Sequence, residues 1–195
     1  MMLDELPAGA SPLDADEADD LIPQHISTRG ELNAWEQVNI AKGRAWLRRR
    51  RANASVLTMH VVHELHRQMF SDTWRWAGRF RQTVKNIGVL PESIAEHMHN
   101  LIADTRFWIQ NHSYAPDEIA CRFHHRLVAV HPFPNGNGRH ARLLTDALLE
   151  EMQVAPFTWG SGSLDDQGYV RDRYIRALHA ADMGDYAPLL AFVRS

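Results

Sequence analysis

Apolar positions recur at three- and four-residue intervals along most of this chain, the period of helices that bury one face. Leu32, Trp35, Val38 and Ile40 open the first such stripe, which continues to Leu47. Ser27 or Thr28 stands where an N-cap is needed and Glu31 falls in the first turn, so a helix is expected from there to about Arg51. A second helix is expected over residues 58–70. Ile94, Met98, Leu101, Ile102 and Trp108 predict a third over residues 91–112, and Ile119, Phe123, Leu127 and Val130 a fourth over residues 117–130. Further helices are expected from about Gly138, with a strongly apolar part at 143–152, and at 170–178 and 188–193.

One stretch breaks the period. Residues 79–89 mix alternating and β-branched positions around Lys85, Asn86, Ile87 and Gly88, between Gly78 and Pro91, which predicts a short exposed β-hairpin. Such an edge can dock an extended peptide. The expected fold is therefore all-α, a bundle of about six to eight helices carrying a short β-hairpin flap. Helical folds host many functions, so function must come from the residues.

Composition narrows the setting. With 195 residues, 45% hydrophobic and 23% charged, the chain suits one globular domain with an ordinary core. The single cysteine, Cys121, excludes an intramolecular disulfide and a cysteine-based zinc cluster and points to a reducing compartment. A net charge of -3 gives no global attraction to nucleic acid or to anionic membranes, so neither is an expected partner. The chain opens without a basic segment and apolar run, and no stretch reaches the roughly 18 apolar residues of a membrane span, so a cytoplasmic location is expected. Three regions follow: an acidic surface arm at 1–22 without Lys or Arg, an N-terminal helix at 23–56 and a core at 57–195.

Two clusters invite chemistry and are better read as structure. The four arginines at 48–51 suit the C-terminal end of a helix dipole. His60, His63 and His66 are three residues apart, so successive side chains turn by about 300° and drift around the helix instead of converging on a metal.

The segment 131–142, HPFPNGNGRHAR, is different. A buried helix ends near Val130, so His131 stands at the rim of the core, and Pro132 and Pro134 stiffen the chain that leaves it. Phe133 is expected to anchor the turn inward, while Gly136 and Gly138 allow close approach. A helix starting at about Gly138 presents unpaired amides and a positive dipole end, an anion nest. Arg139 and Arg142, at i and i+3, lie on neighbouring positions of one face and can fork onto phosphate oxygens. An imidazole beside that nest can take a proton from a hydroxyl at neutral pH. The chemistry read from these residues is transfer of a phosphate-bearing group to a hydroxyl.

At these residues the chain resembles the Fic (Fido) family, whose signature is His, any, Phe, any, Asp or Glu, Gly, Asn, Gly, Arg, any, any, Arg; only Asn135 departs from it. The run LIPQHISTRGELNAWEQVNI is similar to the Fic subgroup called mobile mystery protein B. The resemblance implies a protein adenylyltransferase that binds ATP with Mg²⁺, passes AMP to a Ser, Thr or Tyr hydroxyl of a target protein and releases pyrophosphate. It implies His131 as the base, with Asn137 and the amides of Asn135, Gly136 and Gly138 around the α-phosphate. Arg139 and Arg142 would hold the phosphate tail, Arg142 on the γ-phosphate. Lys85, Asn86, Ile87 and Gly88 would form the flap over the nucleotide and dock the target, and Tyr174 and Asp182 match positions near the nucleoside. Asn135 stands where the family's acidic residue helps hold Mg²⁺, and an amide brings oxygen without the charge.

Ser27 and Glu31 have the spacing of a family motif whose Glu pairs with the second arginine and excludes the γ-phosphate, so an inhibitory role is implied, with Glu31 competing for Arg142. An ordinary capped helix start explains the same two residues. The subgroup resemblance also implies a small DNA-binding, antitoxin-like neighbour. Two alternatives stay open: a related transferase that moves another phosphate-containing group, and a nucleotide-binding regulatory module with little chemistry.

Overall fold

Thr28 starts the helical fold. Its hydroxyl accepts from the Glu31 amide at 3.2 Å, and Glu31 Oε2 accepts from the Thr28 amide at 3.0 Å, a reciprocal capping box. Ser27, the other expected cap, lies outside the described residues, which in this computed structural model are 19–26, 28–50, 54–162, 164 and 168–195. Most of the expected acidic arm also lies outside them. Its last residues are tied down: the Ile22 amide donates to the Thr73 carbonyl at 2.9 Å and the Arg75 amide to the Asp20 carbonyl at 3.0 Å.

The helix that Thr28 caps, α1, spans Arg29–Arg49. It is followed by α2 at Met59–Phe70, α3 at Ile94–Gln110, α4 at Pro116–Val130, α5 at Asn137–Glu151, α6 at Tyr169–Asp182 and α7 at Ala187–Val193. These seven α-helices among the described residues fall in the expected range. None is long and apolar enough to cross a membrane.

α5 is the hub. Leu148 and Leu149 are adjacent in sequence and both fully buried, yet they join different apolar clusters. Leu148, Leu144 and Ala141 pack with Val61, Leu65 and Phe70 of α2, Met98 of α3 and Leu127 of α4. Leu149 packs with Ala120, Cys121, Tyr174, Leu178 and Phe192. Each fully buried side chain of this size contributes on the order of 1.5–3 kcal/mol. Burial of Cys121 pushes its thiol up to about 12, so it behaves as a small inert core residue.

The expected β-hairpin is not seen. The one β-bridge among the described residues joins Leu21 to Trp74. The reason is Arg81, which is 1% exposed. Its guanidinium donates to the carbonyls of Thr83, at 2.8 Å, and of Val89. Strand pairing would have needed those acceptors. Residues 82–89 instead form a loop closed around a buried cation, with Val84, Ile87 and Leu90 left exposed around it.

Candidate active site

α4 ends where the period predicts, and His131 is its C-cap with φ 51 and ψ 60, a left-handed conformation costly for a residue with a side chain. The chain then turns back on itself through a brace supplied by Asn137. Asn137 Oδ1 accepts from the Phe133 amide at 2.9 Å, and Nδ2 donates to the Phe133 carbonyl at 2.7 Å. The Asn137 side chain therefore shapes the loop from inside. Phe133 points inward as expected, fully buried, and stacks on His66 with ring centroids 3.7 Å apart.

Gly136 is the N-cap of α5 at φ 77, and a Cβ there would lie 2.5 Å from the Phe70 ring, so only glycine fits. No side chain caps α5, and the first-turn amides of a helix have no helical acceptors. They form a ready anion nest directly after His131.

His131 is 6% exposed, and burial with the nearby charges of Arg81 and Lys85 lowers its pKa to about 4. The ring is therefore neutral at pH 7, the form that accepts a proton. Lys85 belongs to the loop that replaces the hairpin; Asn86, Ile87 and Gly88 follow it there. A Cβ on Gly88 would lie 2.7 Å from both His131 Cβ and Arg81 Nη2, so this loop rests directly on the base.

The two arginines have different surroundings. Arg139 Nη1 lies 2.5 Å from Glu36 Oε2, and Glu36 Oε1 accepts from Trp74 Nε1 at 2.7 Å. Glu36 is 3% exposed, so α1 places a buried carboxylate on the first arginine of the loop. Arg142 bonds the Tyr174 hydroxyl, Tyr174 lies 2.8 Å from His124 Nε2, and His124 bonds the Ala141 carbonyl. Tyr174 is 5% exposed, and burial pushes its hydroxyl up to about 12. It stands behind Arg142 and orients it. Asp182 is more open; it accepts from His125 Nε2 at 2.8 Å and from His179 Nδ1 at 3.3 Å. Glu31 is exposed and engaged in its capping box.

Glu36 and Arg81 were missed by sequence reasoning, while His66, read there as a structural residue, holds the motif loop. The Gly78 amide donates to His66 Nδ1 at 2.9 Å, so Nε2 carries the proton and donates to the Asn135 carbonyl at 3.1 Å. His63 Nδ1 donates to the Gly78 carbonyl at 2.8 Å. His66 and His63 of α2 thus anchor the motif loop and the turn at Gly78.

The residues present do not fit a protein-held Mg²⁺. Asn135 carries no charge, and its Oδ1 accepts from the Gly136 amide at 2.5 Å. Among the described residues no group of three His, Cys, Asp or Glu could hold a metal. Magnesium favours carboxylate and phosphate oxygens; this amide is neither, and the Glu36 carboxylate is taken by Arg139 and Trp74.

Four buried imidazoles make a stability prediction. Burial lowers His124 and His140 from 6.5 to about 3, His131 to about 4, and His66 well below 6.5. Below pH 6.5 the unfolded chain takes up protons that the folded chain refuses. Stability is therefore full above that pH and falls as pH drops toward the folded values, by up to about 1.4 kcal/mol per pH unit for each ring. Asp146, pushed up to about 6 by burial, opposes this as one group against four. Thermal melts should show a lower Tm at pH 5 than at pH 7.5; an equal or higher Tm at pH 5 would contradict the buried neutral histidines.

Known proteins share this fold and part of this sequence. Residues 56–149 match the family model described as the Fic/DOC family. Protein adenylyltransferase fic-1 of Caenorhabditis briggsae is 31% identical over 141 residues, covering 70% of this chain and 26% of that protein. Protein adenylyltransferase Fic of Nematostella vectensis is 30% identical over 142 residues, covering 70% of this chain and 31% of that protein. The chain thus spans about a quarter to a third of the length of these relatives. A solved structure of Fic-1 from C. elegans matches with TM-score 0.63 and 26% identity, over 89% of this chain and 56% of that one. The BepC protein of Bartonella tribocorum, solved with bound AMPPNP, shares the fold with TM-score 0.69 at 16% identity, over 93% of this chain and 97% of that one. Motif, fold and family match converge: this chain carries a Fic/DOC-family domain.

Proposed function

We propose that this domain is a protein adenylyltransferase that moves AMP from ATP to a Ser, Thr or Tyr hydroxyl of a target protein. The observation that carries the reading is a buried, neutral His131 set directly before the uncapped N-terminus of α5. The α-phosphate sits against the amides of the loop and the first turn of α5, where the helix dipole favours negative charge. Arg142, held from behind by Tyr174, takes the phosphate tail. The target hydroxyl arrives over the exposed Val84 and Ile87 of loop 82–89. His131 takes its proton as the hydroxyl oxygen bonds to the α-phosphorus, and the bond between that phosphorus and the bridging oxygen breaks to release pyrophosphate. The adenylyltransferase names of the relatives support this reading.

Incubating the protein with lysate and ATP labelled at the α or the γ position tests it. Label from the α position on protein is the expected result. Label from γ alone would mean phosphoryl transfer. Nucleotide binding without label from either position would favour a regulatory module, a second reading that the neutral Asn135 supports.

Asn135→Asp restores a carboxylate beside the phosphates, and the expected outcome is a rise in turnover that depends on added Mg²⁺. A Mg²⁺ titration of α-label transfer measures it, and turnover no higher than wild type at saturating Mg²⁺ counts against this account of Asn135.

A further inference from the structure

Three consecutive carbonyls around the base accept hydrogen bonds from one segment. Val130 O accepts from the Val89 amide at 3.3 Å, His131 O from Arg81 Nε at 2.7 Å, and Pro132 O from the Arg81 amide at 2.9 Å. Arg81 also donates to Thr83 O at 2.8 Å and to Val89 O, at the two ends of loop 82–89. A planar guanidinium can serve acceptors in several directions at fixed angles, which a lysine ammonium on a flexible stem cannot. Burying a cation is costly, and these carbonyls offset that cost only in this arrangement.

His131 needs such a restraint. Its backbone sits at φ 51, where an ordinary residue is strained by about 1–3 kcal/mol unless its surroundings hold it. Gly88 closes the arrangement from above, with no room for a Cβ between Arg81 and His131.

We infer that Arg81 is a positioning residue for the transfer: its guanidinium fixes the His131 carbonyl and both ends of loop 82–89 together, so the base and the loop that covers it move as one unit. Arg81 is 1% exposed and its guanidinium is engaged by backbone carbonyls, so it acts from behind the base. Its effect passes through the His131 backbone, and a displacement of about 1 Å at a reacting group can cost on the order of a hundredfold in rate. This inference rests on the transfer reading above.

The test compares Arg81→Lys, Arg81→Met and Gly88→Ala with the wild type, in α-labelled ATP kinetics and in an NMR titration of the His131 ring. Arg81→Lys keeps the charge and loses the fork: kcat should fall about 10- to 100-fold while KM for ATP changes less than about threefold. Arg81→Met should lose kcat similarly, and His131 should titrate closer to 6.5, because only Lys85 of the two nearby cations remains. Gly88→Ala keeps the Arg81 side chain but drives a Cβ against its Nη2 and against His131 Cβ, which forces the loop away, and should also lower kcat. Wild-type kcat in Arg81→Lys, or an unchanged His131 titration in Arg81→Met, overturns the inference. Should the Arg81 variants not fold, Gly88→Ala decides it, and wild-type kcat there overturns it. Should the wild type transfer no label, the proposed function fails, and the backbone amide shifts of residues 83–89 and 131 in Arg81→Lys still decide the role of Arg81: wild-type shifts there overturn it.

Discussion

Replacing His131 with alanine is expected to lower α-label transfer by about a hundredfold to ten-thousandfold, the range that a positioned general base contributes. Nucleotide affinity should survive, since the anion nest is backbone and Arg142 is held by Tyr174, not by His131. The two readouts separate the base from the binding site: transfer collapses while the calorimetric Kd for ATP stays within a few-fold of wild type. The pH profile carries more information. A ring lowered to about 4 is already deprotonated at pH 6, so transfer limited by this base should stay level from pH 8 down to about 5 and fall only nearer pH 4. An acid limb centred near 6.5 would mean a hydrated ring, and the packing of loop 82–89 on His131 would be wrong.

The second large effect is on stability. Arg139→Ala leaves the Glu36 carboxylate 3% exposed with Trp74 Nε1 in place of a full ion pair. Removing one partner of a buried pair typically costs about 3–5 kcal/mol, because the remaining charge is neither solvated nor neutralised. Glu36→Gln should cost less, since the Arg139 side chain is 18% exposed and can reach water. Urea titrations should rank Arg139→Ala as the less stable variant at pH 7. An equal or reversed ranking would show that Glu36 is not held as a buried carboxylate.

The helices and the turn of the site could be read from the sequence because their causes are local. Pro132, Pro134, Gly136 and the apolar stripe ending at Val130 dictate where one helix stops and the next begins, within a few residues of their own positions. The supports of the site are not local. Glu36 pairs with a residue 103 positions away, and its only signal was an acidic residue on the stripe of Leu32, Ile40 and Gly43, which buries it. Arg81 sat inside an alternating run whose period spoke for strands, and no period reports that three carbonyls from another segment will gather around its neighbourhood. The resemblance places Tyr174 near the nucleoside, and the bonds of its hydroxyl to His124 and Arg142 are a further contact that spacing does not report. Side chains that act on other side chains leave little trace in spacing, because tertiary contacts select them.

The Glu36 to Arg139 pair also decides where this polypeptide can be divided. The matched family segment begins at residue 56, but α1 sends Leu32 and Ile40 into the same cluster as Leu65 and Leu144, and its carboxylate neutralises the loop. A fragment cut at residue 56 would expose the apolar flank of α2 and strip Arg139 of its counter-charge in one step. A piece that keeps these contacts therefore starts upstream of Thr28, and any gene fusion or domain graft that respects the family boundary instead of the ion pair inherits an unfinished core.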